Sequence, residues 1–129
     1  MVYKVVSEIL GFPETKEITI KSIDELFSTM ADVKNENISF TLVNPFLLRE
    51  YAFDLPLDMK NLLEINDASN ISVYNILLIQ KPLEKSTINF LAPIIVNNDN
   101  KKVAQIVLEP KKYPDFGMVE TIESFKSEK

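Results

Sequence analysis

Ile71-Ser72-Val73-Tyr74-Asn75-Ile76-Leu77-Leu78-Ile79-Gln80 is apolar on both alternating faces, with Ile71, Val73, Leu77 and Ile79 on one and Tyr74, Ile76 and Leu78 on the other. Successive side chains of a strand point to opposite sides, so a run without a polar face predicts a central strand covered on both sides. Lys81-Pro82-Leu83-Glu84-Lys85 then reads as a hairpin loop. The next segment, Ser86-Thr87-Ile88-Asn89-Phe90-Leu91-Ala92-Pro93-Ile94-Ile95-Val96-Asn97, joins two strand-like runs at an Ala-Pro step. It is read as one strand bent at Ala92-Pro93, because proline is tolerated at bulges and barrel corners. Asn97-Asn98-Asp99-Asn100-Lys101 is a dense turn signal, after which Lys102 to Glu109 returns with Ala104, Ile106 and Leu108 in alternation. A meander from Ile71 to Glu109 is therefore expected.

Working outward, Val2 to Val6 and Glu17 to Lys21 read as strands separated by a turn or bulge at Gly11-Phe12-Pro13. Ser22-Ile23-Asp24-Glu25 has the spacing of a capping box, which predicts a short helix to about Met30 with Ile23, Leu26, Phe27 and Met30 on one face. Asn35-Glu36-Asn37 is a turn. Ile38, Phe40 and Leu42 alternate until Pro45 removes a ladder donor, so that strand ends at Asn44. Tyr51 to Leu55 is a further extended piece, and Pro56-Leu57-Asp58 opens a helix with Met59, Leu62 and Leu63 facing inward. The segment 118–129 reads as a short helix or a flexible tail, with Val119, Ile122 and Phe125 on one face. The expected architecture is mainly β: one antiparallel, barrel-like domain over 1–129 with two or three short helices.

Composition narrows the function. The chain has 129 residues, no cysteine and no histidine, so it lacks thiolate chemistry, the commonest general base and the commonest transition-metal ligand. Asp54 and Asp58 are better read as flanking Pro56 and favouring the following helix start than as an acid/base pair. No enzyme, metal or cofactor is expected. Met1 to Leu10 carries Lys4 and Glu8 and lacks the apolar run of a signal peptide, and no stretch approaches a membrane span, which points to a soluble protein of a reducing compartment. The net charge of -5 disfavours nucleic acid and favours basic partners.

Asn44-Pro45-Phe46-Leu47-Leu48 puts large apolar residues directly after a strand-ending proline. Two readings stand. The ordinary one is a corner plugged into the core. The other is an exposed apolar patch for a protein partner, rimmed by Arg49 and Glu50. Asn89 and Asn97 are read as amides that satisfy backbone groups at bends.

The motifs Ile9-Leu10-Gly11-Phe12, Phe40-Thr41-Leu42-Val43-Asn44-Pro45-Phe46, Tyr51-Ala52-Phe53-Asp54-Leu55, Val73-Tyr74-Asn75-Ile76, Ser86 to Asn97, and Tyr113-Pro114-Asp115-Phe116 together resemble the FliW family of bacterial flagellar assembly factors. The chain departs from the family pattern at Pro13 and in a shortened Arg49-Glu50-Tyr51 link. The resemblance implies a cytoplasmic protein, here expected to be a monomer, with two competing partners: flagellin before export, and the RNA-binding translational repressor CsrA. Flagellin occupies the factor when it accumulates and leaves CsrA free to silence flagellin mRNA; export frees the factor to bind CsrA. With that resemblance, Asn44, Pro45, Phe46, Leu47, Glu50, Tyr51, Phe53 and Asp54 become the candidate partner-binding residues. The alternative from a different class is an OB-like barrel binding a small ligand or an oligonucleotide through stacked aromatics. Against it, Tyr3, Tyr51, Tyr74 and Tyr113 are not interleaved with a basic stripe.

Overall fold

A computed structural model describes residues 2–117 and 119–125. Among these residues nine strands form one sheet: β1 Val2–Ser7, β2 Glu17–Ser22, β3 Phe27–Asp32, β4 Ser39–Val43, β5 Ile71–Leu78, β6 Thr87–Ile88, β7 Ile94–Asn97, β8 Lys102–Gln105 and β9 Glu120–Thr121. The α-helix among the described residues, α1, spans Leu57–Leu63. The order β4-β3-β2-β1-β8-β7-β5 closes through a β4–β5 pairing into a seven-stranded barrel. Every pairing in the ring is antiparallel except β1–β8, which is parallel. β1 thus lies between β2 and β8 and is not a free edge.

β5 is the central element expected of a run with two apolar faces. It pairs with β4 on one side and, on the other, with β7 at its start and β6 at its end. Tyr74 and Ile76 contribute to the barrel interior, around Ile9, Ile18, Met30, Leu42, Ile94, Val96 and Val103. Ile71 and Val73 pack outside, under α1 and the chain around Tyr113 and Phe116. Leu77 joins Val43, Tyr51, Ile88 and Phe90 in a third cluster. Beyond these, Leu78 and Ile79 are exposed.

The bent strand expected over Thr87 to Asn97 is two strands. Leu77 opposes Ile88 and Tyr74 opposes Ile94, so Asn89 to Pro93 bulge out opposite only Asn75 and Ile76. The Asn89 side chain holds this bulge by accepting from Leu91 N at 2.9 Å. β8 is shorter than expected, but Ile106 and Leu108 continue beside the bulge through hydrogen bonds from their amides to Pro93 O and Leu91 O.

The capping-box reading of Ser22-x-x-Glu25 is overturned. Residues 22–27 are a hairpin turn in which the Asp24 carboxylate accepts from Leu26 N and Phe27 N, and Phe27 to Met30 continue as β3. An Asp that bonds backbone donors two and three residues on stabilises a turn as readily as a helix start. β3 then gains two ladder partners, β2 and β4, which a local helix would forfeit. Tyr51 to Leu55, expected as an extended piece, belongs to no strand of the sheet. α1 forms where Pro56-Leu57-Asp58 predicted it and buries Leu63, but Leu62 is exposed. Of the expected C-terminal helix, Met118 and residues 126–129 lie outside the described residues; 120–125 form β9 and a 3-10 turn, with Val119 exposed. No helix among the described residues is long and apolar enough to cross a membrane.

Candidate partner-binding site

The corner after β4 is fixed by its backbone. Asn44 N donates to Leu26 O at 2.8 Å, and the Asn44 side chain accepts from Phe46 N at 3.0 Å. Pro45 starts a 3-10 turn, Pro45–Leu47, where its missing N–H costs nothing and its fixed φ suits the first position. Pro45 is buried, whereas Phe46 and Leu47 are 53% and 54% exposed. Two adjacent large apolar side chains stand in solvent on a turn that cannot easily fold them away.

Tyr51 takes the role of core plug that the sequence left open for Phe46. It is buried, with ring centroids at 4.7 Å from Phe116, 5.4 Å from Phe53, 5.5 Å from Phe90 and 6.1 Å from Phe46. Its hydroxyl donates to Phe90 O and accepts from Asn75 Nδ2 at 3.3 Å. Asn75 Nδ2 also donates to Asn89 O at 2.9 Å, tying corner, β5 and bulge together. Burial pushes the Tyr51 phenol up to about 12, against the opposing pull of the Asn75 hydrogen bond and the Arg49 charge. Phe53 is half-buried, while Glu50 and Asp54 are exposed. The Asp54 amide donates to the Tyr113 hydroxyl at 2.8 Å.

Arg49 is not the rim residue its position suggested. Its guanidinium lies 5.1 Å from the Phe90 ring centroid and 4.9 Å from that of Phe116, pairs with Glu120 at 3.3 Å and donates to Asp115 O at 3.2 Å. A planar cation can stack on rings and still satisfy its donors at the edge, which is why it fits this half-buried slot. Nothing local in Leu48-Arg49-Glu50 signals it, since all four partners come from 90–120.

The candidate residues thus form one contiguous corner with two layers: Pro45, Tyr51 and Phe53 behind, Phe46, Leu47, Glu50 and Asp54 in front, and Asn44 setting the turn. A shallow cleft of about 310 Å³ opens beside it, lined by Arg49, Glu50, Ala52, Tyr113 and Asp115 among others. The amides singled out at the bends serve backbone groups: Asn97 Nδ2 donates to Leu63 O at 2.8 Å, and Asn100 Nδ2 to the same carbonyl at 3.0 Å, closing the end of α1. Sequence reading missed a second apolar depression, about 560 Å³, where β4 and β5 part beyond the Thr41–Leu77 pair; it is lined by Phe12, Phe40, Ile76, Leu78 and Ile79 and carries no charged side chain.

Nothing in this arrangement resembles a catalytic constellation. Among the described residues no three carboxylates gather to hold a metal. The aromatics that a base-stacking barrel would display are committed elsewhere: Tyr51 to the corner's core, Tyr113 to a stack on Phe116 at 5.5 Å, and Tyr3 and Tyr74 to the barrel interior.

The family model described as "FliW protein" matches residues 1–115. The chain is 49% identical over 125 residues to flagellar assembly factor FliW 2 of Wolinella succinogenes, covering 97% of this chain and 92% of that protein. It is 44% identical over 128 residues to FliW 1 of the same organism, covering 99% and 100%. To FliW of Sulfurimonas denitrificans it is 49% identical over 114 residues, covering 88% and 90%. A crystal structure of the flagellar assembly factor FliW superposes with a TM-score of 0.86 at 22% identity over 99% of this chain and 88% of the other, which shows a shared fold. With its barrel, its corner and these near end-to-end matches, the chain belongs to the FliW family.

Proposed function

We propose that this chain is a non-catalytic flagellar assembly factor of the cytoplasm, folded as one domain and acting as a monomer. It binds flagellin and, once released from it, binds the translational regulator CsrA and relieves repression of flagellin synthesis. The observation that carries the reading is the 49% identity over nearly the full chain to a protein named as a flagellar assembly factor. The geometry supports a binding role. Phe46 and Leu47 form an exposed apolar pair on a backbone-fixed turn, flanked by the exposed carboxylates Glu50 and Asp54, a combination suited to a partner with an apolar patch and basic surroundings.

Calorimetric titration of the purified protein with flagellin and with CsrA from the same cell, each repeated with the other partner pre-bound, tests it. Both should bind, and each should displace the other. If neither binds the folded protein, the partner-switch reading is wrong for this chain.

A further inference from the structure

The last described stretch of the chain runs as a strap across the outside of the sheet. Gly117 O accepts from Phe90 N at 3.0 Å, β9 pairs antiparallel with β6 through Thr87–Thr121 and Ile88–Glu120, and Ile122 N donates to Ser86 O at 2.9 Å. The Phe125 ring meets Phe90 edge-on at 5.5 Å. Beneath it Ile88 and Phe90 have no exposed surface.

Two ion pairs among the described residues add to these backbone bonds: Glu123 with Lys85 at 3.5 Å, exposed to solvent, and Glu120 with Arg49, half-buried. The Glu120 carboxylate accepts from Arg49 at 3.3 and 3.5 Å and from the amide of Gly117. The strand pairing itself is short, because β9 has two residues and ends the strand order, and the exposed Lys85–Glu123 pair contributes little. Adding an extended segment to a sheet edge is a common way of binding peptides: the backbone supplies hydrogen bonds and alternate side chains enter pockets. The strap begins in that form, with β9 added to the edge and the Glu120 carboxylate on a stacked arginine, and the 3-10 turn Ile122–Phe125 then sets an aromatic, five residues on, over an apolar floor. It also begins just past residue 115, where the family match ends, whereas Arg49, β6 and Phe90 all lie within it.

We propose that the outer edge of β6, with Arg49 and Phe90, is an acceptor site for a peptide that adds a short strand and then turns, bearing a carboxylate side chain in the strand and an aromatic five positions later. The strap is its resident occupant and gates it. Being tethered, the strap competes at the high effective concentration of an intramolecular ligand, so an incoming segment gains access when the Glu120–Arg49 latch opens. Arg49 also donates through Nε to Glu50 O at 3.2 Å, within the Asn44–Asp54 corner, so events there bear directly on the latch. The inference stands on the strap's geometry and holds whichever partner the corner takes.

The test uses the full-length protein and a fluorescent synthetic peptide of residues 117–125. Glu120→Gln keeps side-chain shape but removes the charge. Gly117→Ala adds a methyl whose carbon would lie 2.7 Å from Glu120 Cγ and Oε2, pushing that side chain off Arg49. In both variants hydrogen exchange at the amides of Phe90 and Ile122 should speed up roughly tenfold or more, as expected for a lost charge-assisted hydrogen bond, with the barrel amides unchanged. By anisotropy the peptide should bind both variants at least about tenfold more tightly than the parent protein, the factor that about 1.4 kcal/mol of competition represents. A peptide carrying the Glu120→Gln change should lose that binding. Unchanged exchange in both variants would show that Glu120 is no latch. Faster exchange without peptide binding would show a strap that is only structural, and either result overturns the proposal.

Discussion

Inside the barrel, Ile18, Met30, Leu42, Ile94, Val96 and Val103 pack as interchangeable apolar volumes, each supported by several others. Outside it, the corner and the strap depend on groups that occur once: the Tyr51 hydroxyl, the Asn75 amide and the Arg49 guanidinium, each joining chain segments 14 to 71 residues apart. The difference is between non-directional and directional forces. Apolar burial tolerates approximate shape, whereas a buried polar group left without its partner costs its full desolvation. The fold is therefore specified redundantly, and the corner and the strap singly.

The comparison can be broken at its strong end. Ile94→Ala should lower unfolding free energy by about 2 to 5 kcal/mol, since the barrel wall cannot collapse into the cavity, measured by urea denaturation. A loss well under 1 kcal/mol would mean that the interior is not close-packed. Next comes Tyr51→Phe, which leaves Phe90 O without its donor and Asn75 without one acceptor. It should cost about 1 to 3 kcal/mol near neutrality. Because the folded phenol ionises only at about 12, against 10 ordinarily, its neutral form stabilises the fold fully below pH 10, and that contribution fades as pH rises towards 12. Stability of the parent should thus fall more steeply than that of the variant between pH 10 and 12, and equal slopes would remove Tyr51 from the account.

A smaller effect is expected at Asp32, on β3. Its carboxylate accepts from Thr15 Oγ1 at 2.7 Å and Lys34 N at 2.8 Å, and these bonds hold it below the usual carboxylate range. The stability they confer is present above the unfolded carboxyl's pKa and is lost as pH falls through the lower folded value. Asp32→Asn should flatten the acid limb of the stability profile; an unaltered limb would sink the assignment. The smallest stability change, within about 0.5 kcal/mol each, is expected for Phe46→Ser and Leu47→Ser, whose side chains stand mostly in solvent. The same pair should abolish partner binding. If instead the protein unfolds, Phe46 and Leu47 belong to the core and the corner is not a docking surface.

Which parts were legible in the sequence follows the same division. The strand starts at Ile71 and Lys102 and the turn at Asn97 to Lys101 are local patterns and appear as read, while the strands read to Gln80 and Glu109 end earlier, at Leu78 and Gln105. The Ser22-x-x-Glu25 pattern is local too, yet it misled, because two neighbouring strands offered Phe27 to Asp32 a ladder on each side. The Asn44-Pro45-Phe46 corner was legible as a corner, from a strand-ending proline after a capping amide. Which aromatic plugs it was not, since Phe46 and Tyr51 are five residues apart and only the positions of Phe53, Phe90 and Phe116 decide between them.

By itself the sequence determined the β class, the strand periods, the turns, the absence of histidine and cysteine chemistry, and the motifs of its family. All of these are set by residue type and short-range spacing. Tertiary structure alone decided that β1 closes the ring beside β8, that Asn89 to Pro93 bulge from the sheet, that Arg49 turns inward between two rings, and that β9 lies on β6. Each depends on contacts between residues far apart in sequence, and the free energy that selects among them, apolar area buried and polar groups satisfied, exists only once the segments have met.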